Sequence, residues 1–145
     1  MKFLKKTLLS STLLLTLFAL TAAAQTSYTV MPTGAKEVPP VNSNGSGVIN
    51  VKVQGDSLQV TGTFSQLSSR YTGAHIHMGG PKENGNVIFP LKADVNEDGT
   101  KGEFKAMNNT FNISEEQLKT LKSGMYYVNI HSDKHPKGEI RAQIK

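Results

Sequence analysis

The sequence predicts an all-β fold, an antiparallel Greek-key-like β-sandwich or barrel carrying one short helix. Three observations lead there. Apolar residues recur at every second position through several short runs, which is the period of a half-buried strand. Glycine, proline, asparagine and aspartate separate those runs at regular spacing, the pattern of a sandwich or barrel. Only one stretch carries both the start and the stop signals of a helix.

The chain opens on an address segment. Met1-Lys2-Phe3-Leu4-Lys5-Lys6 is a basic lead, Leu13 to Leu20 is apolar except for Thr16, and Ala22-Ala23-Ala24 is a small-residue cleavage site. Residues 1–24 therefore read as a signal peptide, and 25–145 as the mature domain. The apolar core is too short for a comfortable membrane span, so no transmembrane anchor is expected after cleavage. The expected location is extracytoplasmic, in a bacterial periplasm or secreted.

Residues 25–45, with Pro32, Pro39 and Pro40, read as an edge strand and an extended lead-in. From Ser46 to Val53, Ile49, Val51 and Val53 share one face. After a Gly55-Asp56 turn signal, Leu58, Val60 and Phe64 do the same. Further strands are expected at Tyr71–Met78, Asn86–Leu91, Thr100–Ala106, Met125–His131 and Glu139–Ile144. The helix begins at Ser114-Glu115-Glu116-Gln117, a capping box, turns Leu118 and Leu121 to the sheet, and stops at Gly124.

Composition narrows the function. Without Lys2, Lys5 and Lys6, the 16 basic residues become 13 against 11 acidic ones, and the net charge falls from +5 to +2. The remaining lysines are interspersed with acids, so the basic stripe of a nucleic-acid binder is missing. There is no cysteine, hence no disulfide and no cysteine nucleophile. No serine stands at a recognisable motif spacing from a histidine and an acid.

All four histidines fall into two strand-like clusters: His75-Ile76-His77, and His131 with His135. Alternation puts His75 and His77 on one face, Cα atoms about 6.6 Å apart, close enough for two imidazoles to converge on an ion. In the later strand Tyr127, Asn129 and His131 share a face. Pairing His131 with Glu139 sets Ile130 against Ile140, Val128 against Ala142 and Asn129 against Arg141, so that every apolar residue meets on the core side. Ser132 to Gly138 then form the loop. If the two histidine strands are neighbours, His75, His77 and His131 become ligands for Cu or Zn, with His135 or Glu139 as a fourth. Asn129 and Arg141 would orient them by hydrogen bonds. The competing reading keeps the same residues as a metal-free hydrogen-bonded sheet face in a structural or protein-interaction module. A redox or dismutase-like enzyme is third.

These residues carry a resemblance. Lys36-Glu37-Val38-Pro39-Pro40-Val41, Gly45 with Gly47, Ala74-His75-Ile76-His77, Gly79-Gly80-Pro81 and Asn84-Gly85 resemble the CHRD domain, the module named after chordin. So does the closing block, Gly124 to His131 with Pro136-Lys137-Gly138-Glu139-Ile140-Arg141. The likeness covers roughly residues 30–145; one departure is Gln143 following Ala142, where the family tends to have glycine before a Gln or leucine. It implies an extracellular β-sandwich, and the leading functional reading is a non-enzymatic binding module. Growth factors, the partners of chordin-like proteins, do not transfer to a single-domain bacterial form, so the partner is an unknown extracellular protein or a metal ion. The H-x-H strand is also similar to the first copper-ligand strand of Cu/Zn superoxide dismutase, but no bridging-histidine and zinc-aspartate loop follows.

Two motifs are weaker. Asp94 to Gly99 matches the opening of a calcium loop, but Lys105 falls where the closing glutamate belongs, so Asp98-Gly99 reads as a hairpin turn. Gly79 to Asn86 lacks the strand–loop–helix setting of a phosphate cradle and reads as the rim of the histidine site.

Overall fold

The computed structural model describes residues 24–145; the predicted signal peptide, apart from Ala24, lies outside them. Ten strands follow: β1 (Gln25–Val30), β2 (Ser46–Gln54), β3 (Ser57–Ser65), β4 (Tyr71–Met78), β5 (Val87–Leu91), β6 (Ala93–Val95), β7 (Gly102–Phe104), β8 (Thr110–Asn112), β9 (Tyr126–Ser132) and β10 (His135–Ile144). One sheet has the order β1-β2-β3-β7-β6, with β8 also paired to β3; the other has the order β10-β9-β4-β5. All pairs are antiparallel. Neither sheet closes, so of the two predicted architectures the sandwich is the one formed.

The core follows from alternation. Ile49, Val51, Val53, Leu58, Val60 and Phe64 of one sheet are buried in a single cluster with Ile76, Val128, Ile130, Ile140, Ala142 and Ile144 of the other. Each of these side chains other than Ala142 contributes about 1.5–3 kcal/mol by leaving water. Helix α1 (Glu115–Lys122) starts on the expected capping box: Gln117 N donates to Ser114 Oγ, and Ser114 N donates to Gln117 Oε1 at 2.9 Å. Leu121 is fully buried, Leu118 packs on the core, and Gly124 follows with φ +74. Among the described residues no helix is long and apolar enough to cross a membrane.

The strand expected over Thr100–Ala106 shortens to Gly102–Phe104, and β6 and β8 arise where none was expected. The Asp98 turn holds itself together: Asp98 Oδ1 accepts from Asn96 Nδ2, Thr100 N and Thr100 Oγ1 at 2.6–2.8 Å. That carboxylate is committed to the loop.

The β9–β10 register is correct up to a point. Ile130 pairs with Ile140, Asn129 with Arg141 and Val128 with Ala142. Beyond Ile140 it slips: His135 pairs with Ser132, so β10 spends five residues where β9 spends two. The predicted Ser132–Gly138 loop is therefore a tight turn at Asp133-Lys134 followed by a bulge, and Glu139 does not face His131. Gly138, at φ +128, takes a conformation there that L side chains rarely adopt.

Candidate functional site

The two histidine strands are neighbours. β4 pairs with β9, setting His75 against Asn129, His77 against Tyr127 and Gly73 against His131. On the other side of β9, Arg141 is level with Asn129 and Gln143 with Tyr127. With Ile76, Val128 and Ile130 turned to the core, these polar side chains share the outer face of the four-stranded sheet. That face is not simply wet. Tyr127, Asn129 and Arg141 are at most 3% exposed and His77 only 9%. The residues from Gly79 to Asn86 and the proline-rich stretch around Glu37 cover it.

One ring nitrogen from each of His75, His77 and His131 lies within 4.8 Å of the other two. The rings are 5.0–6.3 Å apart between centroids. Two tautomers are set by backbone carbonyls. His77 Nδ1 donates to Gly85 O at 2.8 Å, and His131 Nδ1 donates to Pro136 O at 3.0 Å. Each ring, when neutral, then carries its free lone pair on Nε2. His77 Nε2 is buried and has no hydrogen-bond partner. His131 Nε2 faces His75 Nδ1 at 3.1 Å and Asn129 Oδ1 at 2.9 Å.

The electrostatics favour neutral rings at His75 and His131. Burial holds the His75 imidazole below its ordinary value, and the neighbouring His131 and His77 add to the effect. His131 is also held low, by burial first, with the Pro136 carbonyl pulling the other way and His77 adding to the depression. Neutral imidazole is the form that ligates a metal.

Around the triad stands a buried frame. Tyr127, in the central strand, is stacked on His77 from β4, 4.9 Å between centroids and 3° between planes. Arg141 from β10 sits 3.4 Å from the centroid of the same ring. The guanidinium donates to Gly80 O, Glu83 O and Asn84 Oδ1 at 2.8–2.9 Å, tying the glycine-rich loop to the sheet. Gly85 of that loop also donates its N–H to Tyr127 Oη and accepts from His77. The loop thus forms the rim that its glycines suggested. Tyr127, Asn84 and Glu37 were not among the expected site residues. Tyr127 was findable, because it shares a face with Asn129 and His131. Glu37 was not, because it comes from a segment distant in sequence.

The remaining expectations divide. Asn129 touches His131 directly; Arg141 acts on His77 through the loop and Tyr127. Glu139 is turned away: fully buried, its carboxylate accepts from Ser43 Oγ, Ser68 N and Ser132 Oγ. Burial pushes that carboxyl up, but the hydrogen bonds outweigh it and hold it below its ordinary value. Glu139 is engaged by these three serines and is not among the residues whose ligand atoms converge. His135 begins β10 opposite Ser132, half-buried, and is not one of the three residues whose ligand atoms converge.

Neither the curated proteins nor the solved structures offer a match to this chain. The family model of the CHRD domain does match, over residues 28–144, from β1 to the last residue of β10. Both histidine strands, the covering loop and the Glu37 segment lie inside that span, and the chain belongs to the CHRD-domain family.

Proposed function

We propose that this chain is an exported binding module that holds a Cu or Zn ion on the outer face of its four-stranded sheet. His75, His77 and His131 are the ligands, Asn129 stands beside them, and Arg141 holds the loop that orients His77. The observation that carries the reading is His77 Nε2, a buried ring nitrogen with its lone pair free because Nδ1 is committed to Gly85. An unpartnered buried polar atom costs about 1–3 kcal/mol, which a ligated cation would offset.

The donor set fits. Nitrogens bound at about 2.0–2.1 Å to a tetrahedral ion lie roughly 3.3 Å apart. The 3.1 Å between His75 Nδ1 and His131 Nε2 is close to that edge. Asn129 Oδ1 and the unprotonated His131 Nε2 are both acceptors, and their 2.9 Å contact becomes favourable when a cation lies between them. Three imidazoles suit Zn and Cu alike; the Irving–Williams order favours Cu, and availability outside the cytoplasm decides.

A second reading rests on the same 3.1 Å contact. With no metal, His75 Nδ1–H donates to His131 Nε2 and the face is a structural network in a protein-interaction module. Calorimetric titration of Cu(II) and Zn(II) into residues 25–145, beside a His75→Ala/His77→Ala variant, separates the two. Near-stoichiometric, sub-micromolar binding that the variant loses supports the metal site. Weak binding that the variant keeps leaves the histidines as scaffold.

A further inference from the structure

Arg141 borders a second feature, a cleft of about 610 Å³ between the Ala35–Pro40 segment, the Pro81-Lys82 turn and the end of β10. Val38, Pro40 and Pro81 give it apolar walls. Lys36, Lys82 and Lys145, all exposed, ring its mouth, and Glu37 is the one acidic residue lining it. Lys36 Nζ is anchored there by donating to Met31 O at 2.6 Å.

Behind the lining lie two buried acceptors without a partner. Gln143 Nε2 donates to Gly79 O at 2.7 Å and to Gly124 O at 2.8 Å. Both amide hydrogens are thereby used, so the amide cannot turn over, and Gln143 Oε1 is left buried without a partner. Glu37 is 5% exposed, and its Oε1 is likewise unpartnered. Glu37 and Arg141 line one cleft without an ion pair; among the described residues both ion pairs belong to Lys105. Burial pushes the Glu37 carboxyl up to about 7 against the pull of Arg141, so at neutral pH only part of its charge offsets the lysines.

Apolar walls and a cationic rim describe one kind of ligand. We propose that this cleft binds a carboxylate carrying an apolar side chain, the chemistry shared by an N-acylated amino acid and the free C-terminus of a peptide. The carboxylate meets Lys36, Lys82 and Lys145, and the side chain lies against Val38, Pro40 and Pro81. Apolar contact and charge complementarity together hold such a ligand. The site is separate from the histidines and does not depend on a metal.

The test is calorimetric titration of the protein with N-acetyl-leucine, with acetyl-Ala-Ala-Leu bearing a free carboxylate, and with the C-terminal amide of that peptide. Both acids are expected to bind, and the amide at least tenfold more weakly. Charge reversal at the exposed rim, Lys82→Glu/Lys145→Glu, is expected to weaken the acids at least tenfold while leaving Tm nearly unchanged. Tighter binding of the tripeptide than of N-acetyl-leucine assigns the cleft to peptide ends; equal binding assigns it to single acylated residues. Equal binding of acid and amide, indifference to the charge reversal, or no binding of any probe overturns the proposal.

Discussion

His77 and Gly85 are joined by one hydrogen bond, ring Nδ1 to loop carbonyl at 2.8 Å, and it decides what the other ring nitrogen can do. Gly85 can approach because it lacks a side chain: a Cβ there would stand 1.6 Å from the Met78 carbonyl oxygen. Gly85→Ala must therefore lift the loop from β4. The expected result is a loss of about 1–3 kcal/mol in stability, read by thermal melting, and at least tenfold weaker metal binding. Unchanged affinity would show that the loop does not orient His77.

Asn129→Ala removes the oxygen beside His131 Nε2 and leaves all three imidazoles. Ligand-orienting partners are typically worth 10–100-fold in metal affinity, and a loss in that range is expected by titration with Cu(II) or Zn(II). An unaffected affinity would make Asn129 a packing residue only.

Arg141→Lys keeps the charge but loses the planar fork that serves Gly80, Glu83 and Asn84 at once. A lysine ammonium cannot reach three acceptors in that plane or stack on Tyr127 in the same way. The expected cost is about 2–4 kcal/mol in chemical denaturation. A change within 0.5 kcal/mol, about the noise of a surface substitution, would contradict the tie between loop and sheet.

The histidines impose a direction on acid sensitivity. The folded values of His75 and His131 lie below the ordinary 6.5. Below pH 6.5 the unfolded chain therefore takes up protons that the folded chain refuses, and stability falls as pH falls. Bound metal should resist that fall down to lower pH, because its ligands must be neutral. Denaturation midpoints from pH 7 to 5 test this, and a His75→Gln/His131→Gln variant should show the shallower dependence.

Glu37 runs the opposite way. Its folded value of about 7 stands above the ordinary 4.5, so the folded state binds the proton more tightly. The associated stability is full below pH 4.5 and is lost as pH rises to about 7, by up to roughly 3 kcal/mol. Glu37→Gln, which cannot ionise, should be more stable than the parent at pH 8 and differ least at pH 4.5. Equal stability at both pH values would place Glu37 in water.

How much of this was legible can be seen residue by residue. Period-2 alternation and a self-contained capping box are local signals, so the histidine strands, the core face and the Ser114 helix start were all readable. Apolar matching carried the β9–β10 register as far as Ile140, and failed where Gly138 and the bulge replaced ladder pairing with a local solution. Glu139 then found its donors in Ser43, Ser68 and Ser132, two of which come from segments far away in the chain.

By itself the sequence determined which side chains stand on the same side of each strand, because the pleat allows no other arrangement. It also carried the family likeness that the match over residues 28–144 bears out. Only the tertiary structure decided that β4 lies beside β9 and that two loops bury the polar face. It also left His77, Gln143 and Glu37 with unpartnered atoms. Those outcomes depend on contacts between residues dozens of positions apart, whose energies reside in neither segment alone.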